Sequence, residues 1–423
     1  MNFTSLTADL MGFWAEWVRP SAGLPTVLWS LLLAVAAASG HLVQRYMGLP
    51  KVVGYSIVGT VVGFAGFEGA VWPLQGIPLF LLELGVAIVL FEAGGRLPLR
   101  WFRHNPRVLL QSIVEASLTY FGVFWTLHWL GVPDPVANPI ALIAIVASPA
   151  VLSRVIMDTR ASGPVTERAM TLATLNTFYA LALGYAQAGL IERAPQTLMQ
   201  KLYPVAVVLG LSFVVGGLIA LALRTALRVM SPTSENTSIL LLAIIAAGAA
   251  MAAHMGGSAP LAALIGGVLL KALNPKPWAW PRQLGTAASL LTMLMFVLVS
   301  IVAAQADWSL PVASVVLAVI AVRAVAKVAG VAIANPGSGA SWKQAFWVGC
   351  AMSPLSSIAL LIASNFVTAS PLLGTLITQV ALPAILLMEV LGAVIATIAI
   401  HAVGEASNPW RPEAFSTTED TQR

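Results

Sequence analysis

Long apolar runs separated by short polar segments occupy almost the whole chain. About 20 consecutive apolar residues, wound as an α-helix, cross the hydrocarbon core of a bilayer. Counted on that basis, the sequence predicts an all-α polytopic membrane protein with about 13 transmembrane helices. The predicted spans lie near residues 24–43, 52–67, 76–95, 108–131, 138–157, 168–190, 203–224, 238–254, 257–272, 285–304, 309–333, 344–366 and 373–402.

The composition indicates the same class of protein. Hydrophobic residues make up 58% of the 423 residues and charged residues only 9%, whereas soluble globular domains carry roughly 25% charged residues. The single cysteine, Cys350, excludes a disulfide framework and a cysteine-rich metal site. The sequence contains no nucleophile–base pair, phosphate-binding loop or metal-ligand spacing. We therefore expect neither an enzyme nor a bound cofactor or metal.

The distribution of basic residues predicts how the chain is oriented. If the first span runs from outside to inside, seventeen Lys and Arg residues fall in inside loops, and only Arg19, Arg193 and Lys201 fall outside. This bias follows the positive-inside rule. It predicts an outside N-terminus and a cytoplasmic C-terminus, as expected for the inner (plasma) membrane of a bacterium. Because the charges lie between apolar runs, orientation explains the net charge of +5, and we expect a lipid bilayer rather than nucleic acid as the partner.

Two Ser-Pro pairs interrupt apolar spans at corresponding places. Ser148-Pro149 lies in the fifth span and Ser353-Pro354 in the twelfth, 205 positions apart. Proline removes an amide donor and breaks a helix, although a kink that only shapes packing is the alternative. The matched spans are seven apart and so cross the membrane in opposite directions. Such inverted repeats place a substrate site at the bilayer midplane, between helices that are interrupted at corresponding points.

The repeat predicts how the chain is organised. The expected parts are an N-terminal interfacial segment (1–23), a first repeat of spans 1–6 (24–202), a connector helix and loop (203–237), a second inverted repeat of spans 8–13 (238–402), and a disordered cytoplasmic tail (403–423).

Four short motifs, in this order along the chain, resemble the monovalent cation/proton antiporter superfamily (the sodium/hydrogen exchanger family), especially its Kef-like branch. They are Leu49-Pro50-Lys51-Val52-Val53-Gly54-Tyr55, Leu82-Glu83-Leu84-Gly85 with Leu90-Phe91-Glu92-Ala93-Gly94, Gly256-Gly257-Ser258-Ala259-Pro260-Leu261, and Pro383 with Glu389-Val390-Leu391-Gly392. The resemblance covers roughly residues 24–402. It implies two crossed discontinuous helices in a core that moves against a dimerising panel, exchange of a monovalent cation for protons, and a homodimer.

The sequence departs from that family at the ion-binding motif. Family members carry an Asp-Asp or Asn-Asp pair in the sixth span, where this chain reads Asn176-Thr177, and no acidic residue lies between Arg168 and Gly189. The acid that often follows the twelfth-span break is replaced by Ser356 or Ser357. The coupling site is therefore expected to be a neutral one.

Three charged residues are the remaining candidates for chemistry within the membrane. Arg323 and Lys327 lie four residues apart in the eleventh span, on one helical face, and the resemblance implies that one of them faces the site. Their partner is expected to be a carboxylate, carbonyl groups of the broken helices or a bound anion, but Lys327 could instead snorkel to the surface. Glu115 is a candidate proton relay, or a partner for Arg103 or Arg107.

Other polar residues complete the predicted path. Glu92 and Glu389 are expected to neutralise inside-facing arginines. A set of neutral oxygens suited to weak ion binding is expected at the two breaks. It consists of Ser148, Ser153, Asn176, Thr177, Ser353, Ser356 and Ser357.

The leading hypothesis is a secondary transporter, a solute/cation:proton antiporter that works by alternating access. The alternatives are an uncoupled carrier or channel, for example for an anion held by Arg323, and a membrane sensor that does not transport.

Overall fold

The computed structural model describes residues 24–67, 69–97, 99, 102, 105–192, 197–231, 234–274 and 282–407. Within these ranges the regular structure is entirely helical, which confirms the predicted fold class. The expected interfacial segment, 1–23, and residues 408–423 of the expected tail lie outside the described residues.

The described residues up to 231 form eight helices. They are α1 (Leu24–Leu42, continued by a π-helical turn, Val43–Met47), α2 (Lys51–Phe64), α3 (Gly76–Arg96), α4 (Pro106–Trp129), α5 (Asp134–Ile145), α6 (Pro149–Thr159), α7 (Pro164–Ala188) and α8 (Leu198–Val229).

The described residues from 234 onward form seven more helices. They are α9 (Glu235–His254), α10 (Ala259–Leu273), α11 (Arg282–Ala304), α12 (Leu310–Ile333), α13 (Trp342–Ala351), α14 (Ser357–Ala369) and α15 (Pro371–Ala402). Each of the predicted spans coincides with one of these helices or with a pair of them. Among the described residues, eight helical segments are long and apolar enough to cross a membrane, and shorter apolar helices accompany them. The total of thirteen spans stays a prediction.

The fifth and twelfth predicted spans are interrupted where the Ser-Pro pairs lie. Residues 146–148 separate α5 from α6, and residues 352–356 separate α13 from α14. Pro149 cannot donate to a preceding turn and opens α6 instead, a position that tolerates the missing amide. The Ser148 hydroxyl caps the same helix by accepting from the Val151 amide at 3.4 Å. The sequence therefore ends one helix and starts the next within a few residues.

Helix packing follows a pattern that is symmetric between the two parts of the chain. In this pattern α4 packs against α12, α3 against α10, and α2 against α11. The predicted repeat makes α2 the counterpart of α10, α3 the counterpart of α11, and α4 the counterpart of α12. If each helix is replaced by its counterpart, the three packed pairs stay the same. The packing is what the predicted inverted repeat requires, although the repeat boundaries stay a prediction.

Candidate functional site

The two interruptions lie side by side near the middle of the bundle. The amide of Ser148, in the first break, donates to the carbonyl of Pro354, in the second, at 2.9 Å. The amide of Leu355 donates to the Met388 carbonyl of α15 at 3.5 Å. Backbone groups that the broken helices cannot satisfy internally thus find partners across the crossing.

Arg323 of α12 joins the two breaks. Its Nε donates to the Ala144 carbonyl at 2.9 Å and its Nη2 to the Val146 carbonyl at 2.6 Å, at the end of α5. Its Nη1 donates to the Ser353 carbonyl at 2.6 Å, and Nη2 also reaches the Pro354 carbonyl at 3.4 Å. The last carbonyls of a helix carry partial negative charge. One buried guanidinium therefore neutralises the C-terminal ends of both half-helices.

Lys327, one turn further along α12, forms an ion pair with Glu115 of α4. Lys327 Nζ lies 2.8 Å from Glu115 Oε1, and the two side chains are 1% and 0% exposed. The same ammonium donates to the Ile145 carbonyl at the first break, at 3.1 Å. Lys327 is therefore buried and does not snorkel to the surface, which is the alternative that the sequence leaves open. The pair forms because α12 approaches α4 closely at Gly330, where a Cβ atom would overlap the Cα of Glu115.

The carboxylate of Glu115 is held from two more sides. Thr119 Oγ1 donates to its Oε1 at 2.9 Å, and Asn176 Nδ2 donates to its Oε2. The alternative pairing with Arg107 is not formed, since that side chain donates to the Pro336 carbonyl. The other predicted partner, Arg103, lies outside the described residues. Glu115 thus connects the first break, through Lys327, to the family's ion-binding position on α7.

Asn176 and Thr177 face different neighbours. Asn176 Oδ1 accepts from Ser112 Oγ at 3.2 Å, whereas Thr177 Oγ1 donates to the Ala147 carbonyl within the first break at 3.1 Å. Ser112 was not predicted as a site residue. Its signal in the sequence is its position three residues before Glu115, on the same face of α4.

The remaining predicted oxygens take different places. Ser153 is half-buried and donates to the Ala150 carbonyl within α6, one turn beyond the break. Ser356 and Ser357 are fully buried at the second break, and neither hydroxyl has a hydrogen-bond partner among the described residues. Three of the predicted groups, Asn176, Thr177 and Ser148, come together with Glu115 and Lys327 around the first break, and Ser153 does not.

Two cavities approach this cluster from opposite ends of α7. One, of about 740 Å³, reaches along α7 as far as Thr174. The other, of about 850 Å³, begins near Asp134 and Lys201 and reaches Phe178 and Tyr179. Asn176 and Thr177, which lie between the two inner ends, are fully buried. The site is therefore closed to both cavities in this conformation.

A helical membrane protein whose broken helices cross at a buried ionic cluster, with a cavity on either side, has the architecture of a transporter. The family model for the transmembrane region of sodium/hydrogen exchangers matches residues 30–406, and the chain belongs to this family. Its members are transporters and not enzymes. This confirms the predicted superfamily, and it makes the chain an integral membrane protein.

The sodium proton antiporter MjNhaP1 of Methanocaldococcus jannaschii has a similar fold. Its structure at pH 8 matches with a TM-score of 0.66 and 16% identity, covering 89% of this chain and 98% of that one. The structure from its electron microscopy map matches with a TM-score of 0.67 and 17% identity, covering 92% and 100%. No curated protein sequence matches significantly.

Proposed function

We propose that the protein exchanges a monovalent cation for protons by alternating access, and that the Glu115–Lys327 pair couples the two ions in place of the missing sixth-span acid, with Glu115 binding the cation and Lys327 carrying the proton. The observation that supports this proposal most directly is the position of the Glu115 carboxylate. It is bonded to both Asn176 and Lys327 at the first break, between the two cavities.

The ion pair provides a way to couple the two ions. The Glu115 carboxylate holds the Lys327 ammonium in this conformation. A transported cation that takes the carboxylate must displace that ammonium, because two positive charges beside one buried carboxylate are unfavourable. Lys327 then loses its partner and releases a proton. The neutral oxygens of Asn176 and Thr177 supply further ligands for the cation.

The test is transport by purified protein in proteoliposomes that contain a pH-sensitive dye. A gradient of sodium, potassium or lithium should move protons in the wild type and not in Glu115→Gln. The matched control is Glu92→Gln, since that carboxylate forms an exposed pair with Arg96 outside the cluster. Equal proton movement in the two variants rejects Glu115 as the coupling carboxylate, and no movement with any cation in the wild type rejects proton-coupled exchange.

One observation favours the second candidate, an anion carrier. Among the described residues, the cavity that ends at Thr174 is lined by the basic residues Arg96, Arg224, Arg228 and Lys271 and by one acid, Glu167. An excess of positive charge attracts anions. Arg323, however, donates to carbonyl groups of both breaks and so does not present a free guanidinium to an anion. Flux of chloride or phosphate that depends on Arg224, without proton movement, favours this candidate.

We also propose that the protein belongs to the Kef-like branch and forms a homodimer in the inner membrane of a bacterium. Its N-terminus would lie outside and its C-terminus in the cytoplasm. The basic residues between spans support the orientation. Labelling of single cysteines, introduced at His254 and Lys343, from each side of the membrane tests it. Light scattering of the detergent-solubilised protein tests the dimer.

A further inference from the structure

A second buried carboxyl group lies apart from Glu115. Glu389, in the middle of α15, is fully buried. Its Oε2 accepts from Ser300 Oγ of α11 at 3.3 Å. The hydroxyl groups of Ser56, on α2, and Ser356, at the second break, lie beside the carboxyl group but do not meet hydrogen-bond geometry. Hydroxyl groups from two helices and one break therefore surround this carboxyl group.

Glu389 has no basic partner in the part of the chain that the structure describes. No Lys, Arg or His side chain there lies within 4 Å of its oxygens, so the expected pairing with an inside-facing arginine is wrong. Charged side chains on the helices packed against α15 have other surroundings. Among the described side chains they are Arg323 and Lys327 at the first break, Arg154 on the Ser289 carbonyl, Lys51 at the start of α2 with Asp158 on its amide, Asp134 beside His128, and Lys343 at the exposed start of α13.

The charge of the buried Glu389 carboxyl group determines whether this site favours a bound proton. An ionised carboxylate without a cation is strongly unfavourable in an apolar interior. A proton removes that charge. Three oxygen atoms around the site also lack hydrogen-bond partners among the described residues, namely Glu389 Oε1, Ser56 Oγ and Ser356 Oγ. A proton on Oε1 creates a donor for one of these hydroxyls, and the other can donate to the carboxyl group.

The site lies where two groups of helices meet. On one side α2 packs tightly against α11, since a Cβ at Gly59 would come within 2.6 Å of the Val297 carbonyl. On the other side α15 is bonded to the second break through the Leu355 amide and the Met388 carbonyl. The resemblance of the sequence places the broken helices, and with them the second break, in the moving core.

We infer that Glu389, with the hydroxyl groups of Ser56, Ser300 and Ser356, is a second proton-binding site, occupied in this conformation. Its proton is released when α2 and α11 shift against α14 and α15. The release rests on the alternating access proposed above, whereas the binding of the proton does not.

Infrared difference spectroscopy of the full chain in liposomes tests both parts. A protonated carboxylic acid has a carbonyl stretching band that a carboxylate lacks. The wild type should show such a band near neutral pH, Glu389→Gln should lose it, and Glu92→Gln should keep it. Ser300→Ala should shift the band without abolishing it, since the carboxyl group loses one donor.

Heavy water reports the release step, because exchange of the acidic proton for a deuteron shifts the band. The shift should develop several-fold faster while a cation gradient drives transport than without a gradient. A band that is absent from the wild type, or that persists in Glu389→Gln, overturns the proton-binding site even if transport is normal. A band that is lost in Glu389→Gln but exchanges no faster during active transport overturns the release. Failure of Glu115→Gln to stop transport affects neither spectroscopic result.

Discussion

The ion pair between Lys327 and Glu115 makes a prediction that can be worked out from burial alone. In Lys327→Met the aliphatic stem is kept and the charge is removed. Because both partners are almost fully buried, the variant leaves a carboxylate in an apolar interior without its cation. Breaking a buried pair from one side costs about 3–5 kcal/mol. Thr119 and Asn176 still donate to the carboxylate, so we expect a loss near 3 kcal/mol, the lower end of that range.

The double variant Glu115→Gln/Lys327→Met separates the pair from its surroundings. Removing both charges leaves no unpaired ion, so its loss of stability should be smaller than that of either single variant. Thermal unfolding of the purified protein measures all three, and Glu92→Gln is the control, with an expected change of about 1 kcal/mol or less because its pair is exposed. If the losses of the two single variants simply add in the double variant, the two charges do not stabilise each other and the reasoning is refuted.

Three further substitutions test the packing around the crossing, and a fourth, Gly210→Ala, is a control; thermal unfolding of the purified protein measures all four. Arg323→Lys keeps the charge but not the fork that reaches four carbonyls, and should cost about 1.5–3 kcal/mol for each charged hydrogen bond lost; an unchanged melting temperature contradicts the bridge. Gly330→Ala should cost about 1–3 kcal/mol through overpacking against Glu115. The control, Gly210→Ala, lies in open space on α8 and should stabilise the protein by about 0.5–1 kcal/mol. Equal effects at both positions would show that α12 does not approach α4 closely at Gly330. Thr177→Val removes the hydrogen bond to the first break and should cost about 1 kcal/mol, and no loss shows that this bond is dispensable.

The sequence predicts the helices and the breaks because their causes are local. Apolar length determines where a span lies, and Pro149 and Pro354 each lack the amide that an uninterrupted helix would need at their positions. The partners of the charged residues have no local cause. Arg323 and Lys327 share one face of α12, but what lies opposite depends on packing against α4, which is 212 positions away in the chain at Glu115. A small residue, Gly330, permits that packing, and nothing in the hydrophobic pattern marks it.

The sequence does not predict the surroundings of Glu389 either. The sequence favours an inside-facing arginine as its partner. In the structure it lies mid-helix among hydroxyl groups from residues 56, 300 and 356. These residues are distant in the sequence and each is common in membrane helices, so only the tertiary fold identifies them as a group.

The bridge made by Arg323 constrains how the protein can move. One side chain is fastened to carbonyl groups on both sides of the crossing, and the Ser148 amide adds a direct link to Pro354. The two breaks therefore form one rigid unit. Bending one half-helix by itself would break several short hydrogen bonds at once. Under the proposed alternating access, this rigid unit moves as one body past its neighbours. A covalent cross-link across it, between residues 147 and 353, should leave turnover intact, whereas one that joins α2 to α15 should stop it.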